Sequence, residues 1–376
     1  MSQRWDVVIV GAGPAGCAAG ITLARQGLRV AVLDRARFPR DKTCGDALSN
    51  RAVALLEALG AGEHLASAPH AVVKGAVAIL PDGARIPRDY GALPGRIVPR
   101  LALDDALRRT LERAGARVFE GENVRGLLRE GDRVRGVRGA SGPWEAPVVL
   151  AADGHGSVAW THESRPRGRA LAVSATSYLQ GAEPLGDPSV SEHYFEADLP
   201  FGYGWIFPAV GGVCNVGVYL RNDGYARAGT ALKTLLERFL ERRLGRPPEA
   251  VRVWSLPLAS EPRPRDPDGL FSCGDAGRFI DPLTGEGIFQ ALRSGELAAE
   301  AAGAVLSGRS LRAEGLRYRL RCARELGLPS MARGALQDGL QRLLDTGLYR
   351  SPMVRRALAW GYGGGALEVT KTVARR

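Results

Sequence analysis

The run Val7-Val8-Ile9-Val10-Gly11-Ala12-Gly13-Pro14-Ala15-Gly16, with Asp34 eighteen residues past its last glycine, decides how this chain folds. Four apolar residues form a short strand, and the small residues after Gly16 continue as a closely packed helix. Gly11 allows a tight turn, Gly13 lets the backbone approach a pyrophosphate, and Gly16 lets helix and strand pack at short range. Pro14 and Ala15 lie in the same turn, where the helix N-terminus supplies unpaired N–H groups and a positive dipole end to a phosphate. Asp34 closes the next strand, placed to accept hydrogen bonds from a ribose diol, and its charge repels a 2'-phosphate. FAD or NAD therefore fits better than NADP.

At 376 residues with 45% hydrophobic and 24% charged content, the chain is globular and long enough for more than one domain. The formal charge of +11 is almost wholly arginine, since the lysines are Lys42, Lys74, Lys233 and Lys371. These arginines are spread along the chain, so nucleic acid is not implied, although a basic surface suits an acidic membrane face or an anionic substrate. Five scattered cysteines without C-x-x-C spacing argue against disulfides and structural zinc, and the five histidines show no ligand spacing, so no metal is expected. No signal peptide is recognisable, and no apolar run reaches the about 18 to 20 residues of a membrane span. A cytoplasmic protein is expected, soluble or peripheral to the membrane.

Punctuation by glycine, proline and charge sets out the rest of the chain. Amphipathic helices are expected over 50–59 and 101–114, a hairpin of strands 72–80 and 84–87 around Pro81-Asp82-Gly83, and a β-meander leading to Asp153. Residues 170–257 alternate and are rich in aromatics, with one helix at 230–243, which reads as an antiparallel second domain. A strand at 270–273 returns to the first. The expected division is a discontinuous nucleotide domain of 1–70, 95–165 and 265–306, a substrate domain of 71–94 and 166–264, and a helical segment of 307–376. That last segment carries a glycine cluster at Gly361, Gly363, Gly364 and Gly365. The fold class is α/β, with a Rossmann-like domain, an inserted antiparallel sheet and a helical C-terminal segment.

Three separated signals point to one extended ligand: the opening glycine turn, Asp153-Gly154 after an apolar strand, and Gly274-Asp275 after another. Each places N–H groups and a carboxylate at the carboxyl edge of a sheet, where ligands of open α/β sheets bind. With these motifs the chain resembles the FAD-dependent oxidoreductases of the para-hydroxybenzoate hydroxylase superfamily over most of its first 300 residues. The resemblance implies FAD, with Asp275 at the ribitol, Asp153 and Gly154 by the pyrophosphate, and Arg35 beside Asp34 among the contacts. The turn Asp281-Pro282-Leu283-Thr284-Gly285-Glu286-Gly287-Ile288 follows. Gly285 and Gly287 permit the backbone to lie against a flat ring, and a helix starting near Ile288 can stabilise negative charge at its N-terminus.

Two further stretches narrow the likeness. Pro39-Arg40-Asp41-Lys42-Thr43-Cys44-Gly45-Asp46 resembles the P-R-D-K-x-C-G segment of the geranylgeranyl reductase family, and Tyr203-Gly204-Trp205-Ile206-Phe207-Pro208 resembles its Y-x-W-x-F-P motif. On a strand, Tyr203, Trp205 and Phe207 share one face and can form an aromatic wall. The resemblance implies reduction of isolated carbon–carbon double bonds in prenyl chains by hydride from flavin N5. The wall would stabilise developing positive charge, and Tyr203 or a water would give the proton. It also implies that Lys42, Cys44, Gly45 and Arg100 approach the cofactor, with Cys44 steering the flavin or relaying a proton.

Other chemistries stay open at this level. A flavin-dependent monooxygenase or halogenase uses the same scaffold, but the chain departs from the halogenase W-x-W-x-I-P pattern, and Lys74 is the candidate for the lysine such enzymes need. A flavoprotein that only passes electrons to a quinone is the third reading. No second G-x-G-x-x-G serves a nicotinamide, so NAD(P)H would visit transiently or a partner protein would donate electrons. Beyond a hydrophobic small molecule, the expected contact is a membrane surface at Arg355-Arg356-Ala357-Leu358-Ala359-Trp360, unless that segment packs on the flavin domain.

Overall fold

The computed structural model describes residues 4–363, so Gly364, Gly365 and Lys371 lie outside the described residues. Val7–Val10 sits at the centre of a five-stranded parallel sheet, in the order Leu270–Ser272, Val148–Ala151, Val7–Val10, Val30–Asp34 and Arg117–Glu120. Its central strands are buried throughout and apolar up to Asp34, because both faces are covered. One cover is the helix Pro14–Ala24, packed against the helix Ile288–Leu306. Small residues set this separation: a Cβ on Gly295 would lie 2.3 Å from the Ala15 carbonyl oxygen, and one on Gly16 would lie 1.8 Å from that of Gly11. The meander is the antiparallel trio Gly126–Glu130, Arg133–Arg138 and Pro143–Glu145.

The aromatic region forms a seven-stranded sheet, in the order Arg252–Pro257, Leu171–Gln180, Val213–Arg221, Gly202–Ile206, Val190–Tyr194, Gly75–Ile79 and Arg85–Asp89. The expectation of a purely antiparallel sheet is corrected at one seam, where Val190–Tyr194 runs parallel to Gly75–Ile79. The long excursion of chain between these two strands makes a parallel pairing accessible, whereas a tight turn would forbid it. The expected strand at 72–80 is also corrected. It breaks at Lys74: Ala71–Val73 pairs in a small sheet with Gly95–Ile97, while Gly75–Ile79 joins the large one. The helices expected at 101–114 and 230–243 form as Arg100–Arg113 and Leu232–Leu244.

From Leu311 to Asp345 the chain is helical, in two α-segments, Leu311–Cys322 and Leu328–Asp345, joined by a π-helical turn at Ala323–Gly327. Pro329 lacks the N–H that would bond back to Glu325, and a wider turn accommodates that loss. The last described helix, Pro352–Gly363, packs on Arg85–Asp89. Its Leu358, Ala359 and Tyr362 join a core cluster with Ala78, Leu80 and Ile86. The basic segment at 355–360 therefore packs on the hairpin of the large sheet, not on the flavin domain, and leaves Trp360 exposed. No described helix is long and apolar enough to cross a membrane.

Candidate functional site

Three helix or turn starts converge at the carboxyl edge of the parallel sheet. Gly11 has φ +97°, and an added Cβ would lie 2.5 Å from the Ala152 carbonyl oxygen, so only glycine fits there. Gly13 precedes the helix without any side-chain cap, and a Cβ on it would meet nothing nearer than Arg40 at 3.7 Å. This is an open cradle of free N–H groups. Asp34 is buried and already accepts from the Ala12 and Ala36 N–H groups, each at 2.8 Å, leaving one lone pair per oxygen for a ligand hydroxyl. Arg35 beside it is exposed and holds no ion pair among the described residues.

Asp153 turns back onto its own loop, accepting from Ser157 Oγ at 2.5 Å and the Val158 N–H at 2.8 Å. Burial raises its carboxyl above the ordinary range. Gly154, at φ +77°, is the part of this pair with room, since a Cβ there would meet only Lys42 Nζ at 4.0 Å. At the third start, Gly274 has φ +59° and packs on Ala15, and the Asp275 carboxylate takes Lys42 Nζ at 3.3 Å. Gly287 opens the Ile288–Leu306 helix uncapped. A set of uncapped helix ends with a carboxylate at the ribose position matches the donor and acceptor pattern of FAD.

Beyond Asp275, the 281–288 turn is held from inside. Buried Asp281 caps the Leu283 and Thr284 N–H groups at 3.0 Å and accepts Arg333 Nη1 at 2.5 Å. Tyr219 donates to the Pro282 carbonyl oxygen at 2.7 Å, and Tyr203 donates to that of Thr284. Gly285 has φ +67°, and a Cβ on it would lie 3.3–3.4 Å from the Tyr219 ring and the Tyr203 hydroxyl. The expectation that Tyr203 gives a proton meets two obstacles, for its hydrogen is committed to Thr284 and burial pushes its pKa well up.

Tyr203, Trp205 and Phe207 share one buried face, with Tyr203 and Trp205 ring centres 6.2 Å apart and Trp205 stacked on Phe207 at 5.8 Å. Glycine makes room for the indole: Gly217 stands opposite Trp205 in the register, and a Cβ there would lie 2.2 Å from the ring. The loop 35–46 meets this wall. A Cβ on Gly45 would lie 3.1 Å from Phe207, so the backbone lies flat on the rings. Cys44 is half-buried, and desolvation pushes its thiol pKa up against the opposing pull of Arg100, which keeps it protonated at neutral pH.

Polar residues outside the expected set hold loop and wall together. Asn215 accepts the Trp205 indole N–H and donates to the Cys44 carbonyl oxygen and Asp46 Oδ2, all at 2.9 Å. Asp46, buried and at φ +62°, also accepts Tyr178 Oη at 2.6 Å and the Arg100 N–H at 3.3 Å, and burial pushes its carboxyl up to about 6. Arg100 is buried and bidentate on Asp104 at 2.7 and 2.8 Å, while Arg40 reaches the same carboxylate at 2.6 Å. His193 stands opposite Trp205, its ring 5.3 Å from Tyr203 and 5.4 Å from Phe207. Burial lowers its pKa to about 4, and Nδ1 has no partner. Asp46 belonged to a recognised motif. Asn215, Tyr178 and His193 had no local signal, because strand register alone brings them here.

Together, the glycine turn, the Gly-Asp turn and the wall define an FAD-dependent oxidoreductase. The chain matches the FAD binding domain family over residues 4–173. It is 36% identical over 313 residues to a menaquinone reductase of Mycobacterium tuberculosis, covering 78% of this chain and 76% of that one. It is 32% identical over 365 residues to a digeranylgeranylglycerophospholipid reductase of Methanothrix thermoacetophila, covering 92% and 90%. A geranylgeranyl bacteriochlorophyll reductase-like structure from Thermoplasma acidophilum aligns with a TM-score of 0.78 at 25% identity, over 91% of each chain. A flavin-dependent brominase aligns with a TM-score of 0.70 at 22% identity, over 96% and 99%, a likeness of fold. The chain belongs to the geranylgeranyl reductase family of FAD-dependent oxidoreductases.

Proposed function

We propose that this oxidoreductase saturates an isolated carbon–carbon double bond in the isoprenoid part of a lipophilic substrate. The observation that carries the reading is the shared aromatic face of Tyr203, Trp205 and Phe207, with Gly45 packed on Phe207 and Trp205. Such a surface accepts an apolar chain and offers ring faces to a carbon that turns positive as its neighbour is protonated. When bound in its reduced form, FAD supplies the hydride equivalent, and the glycine turn, Asp34 and Asp275 would hold it. The chain must supply the proton for the other carbon. With the Tyr203 hydrogen committed to Thr284, that task falls to the Cys44 thiol or to a water it holds. The electron source is NAD(P)H as a transient visitor or a donor protein. Lys74, the candidate lysine of the halogenase reading, is exposed where the chain switches sheets.

Menaquinone is a suitable probe because one molecule offers a quinone ring and an isoprenoid tail. Photoreduced protein, held anaerobic, should yield a product two hydrogens heavier that keeps them after air reoxidises the ring. A product that reverts fully in air identifies plain quinone reduction and sinks the proposal. Cys44→Ser should lower turnover at least about tenfold while flavin retention stays near wild type. Unchanged turnover removes the thiol from the reaction.

A further inference from the structure

The helical span 311–345 turns inside out in its second half, whereas its first half buries Tyr318, Cys322 and Leu326 in the core. In its second half the residues facing the protein are Ser330, Gly334, Gln337 and Gln341, all buried. Both glutamines are hydrogen-bonded and the glycine is packed. Gln337 accepts from Arg221 at 2.9 Å and donates to the Phe201 carbonyl oxygen at 2.9 Å, Gln341 accepts from the Phe201 N–H at 2.5 Å, and Gly334 packs on Pro282. Four leucines of the span point outward instead: Leu316, Leu320, Leu328 and Leu336 are 52, 60, 62 and 63% exposed, and Ala332, Ala335 and Gly339 are exposed between and beyond them. A helix of a water-soluble protein buries its apolar stripe and wets its polar one. The helix Leu328–Asp345 does the reverse along this face.

The π-helical turn keeps the outer stripe continuous. At about 100° per residue, an unbroken α-helix would carry Leu336 roughly 160° around the axis from Leu320. One extra residue in the turn at Ala323–Gly327 takes back about 100° of that, so the four leucines fall within an arc of roughly 100° along about 30 Å of helix. Arginines border the arc, with Arg312, Arg319 and Arg342 on one side and Arg317 and Arg321 on the other; Arg312, Arg317 and Arg321 also pair with Asp268, Glu314 and Glu300. The four acidic residues of the span already hold arginines: Glu314 with Arg309, Glu325 with Arg293, Asp338 with Arg221 and Asp345 with Arg227. Arg319, Arg324 and Arg342 hold no ion pair among the described residues.

We propose that the outer face of residues 311–345 is a docking surface for an anionic lipid bilayer, with the leucines in the acyl boundary and the bordering arginines among the headgroups. Arginine stems lie along apolar surface while their heads reach charged phosphates, which is the arrangement this border provides. A second copy of the chain fits less well, because apposed stripes would bring two rows of arginine together. The inner face of the same helix grips the 281–288 turn through Gly334 against Pro282 and Arg333 on Asp281. A bilayer on the outer face thus lies one helix away from the site. The inference stands apart from the reaction proposed above, because binding to vesicles needs no turnover.

Flotation of the full-length holoprotein tests it, using phosphatidylcholine vesicles with and without phosphatidylglycerol. Wild type should float with the anionic vesicles and far less with the neutral ones. Leu320→Glu with Leu336→Glu should reduce the bound fraction by about tenfold per leucine, and Arg319→Glu with Arg342→Glu should abolish the preference for anionic lipid. Flavin content and melting temperature should stay at wild-type values because these side chains face outward. If the glutamate pair proves unstable, Leu320→Gln with Leu336→Gln serves the same purpose. Wild type that stays unbound, or binding that survives the leucine changes, overturns the proposal. So does sedimentation showing a dimer that the leucine variant converts to monomer while vesicles have no effect.

Discussion

Asp46→Asn should flatten part of the pH dependence of stability. The folded protein holds the Asp46 proton up to about pH 6, against an ordinary value of 3.8. Between those values the folded state binds more protons than the unfolded chain, so this group's contribution falls as pH rises through the window and stays low above it. The gap of roughly two pH units corresponds to about 3 kcal/mol. Asparagine is nearly isosteric and tolerates the left-handed backbone at φ +62°. Its carbonyl can replace the oxygen that accepts from Tyr178 and Asn215, and its amide then faces the Arg100 N–H, the longest of the three contacts at 3.3 Å. Urea unfolding with excess FAD, repeated from pH 4 to 7.5, should show the variant gaining about 3 kcal/mol on wild type across the range. Parallel curves would refute a burial-raised carboxyl at this position.

Gly16→Ala should abolish flavin retention, because its Cβ would lie 1.8 Å from the Gly11 carbonyl oxygen and open the turn; purified variant with the full flavin absorbance would contradict this. Arg333→Met removes the cation from buried Asp281 and should cost about 3 kcal/mol in urea unfolding, whereas a change within experimental scatter would show that the two capped N–H groups suffice.

The cofactor half of this protein was legible as sequence because its signals are local. A glycine turn between strand and helix, an acid at the end of the next strand and a Gly-Asp turn each specify a conformation over a few residues, and the structure builds them where spacing put them. The alternation of Tyr203, Trp205 and Phe207 likewise fixed a common face before any partner was known. What lay opposite that face was not legible. His193 and Asn215 arrive through pairings with Trp205 and Phe207 on flanking strands, and the parallel seam between 75–79 and 190–194 joins segments more than a hundred residues apart. Nothing in either segment announces the other.

The helical span at 311–345 shows the same division. Its sequence determined a helical, arginine-rich segment, and helical periodicity alone spreads its leucines and its polar residues around the axis. Which of them face inward depended on what the rest of the molecule offered, and it offered Arg221 and the Phe201 backbone, which take polar partners. Only the tertiary structure could decide that the leucines remain outside.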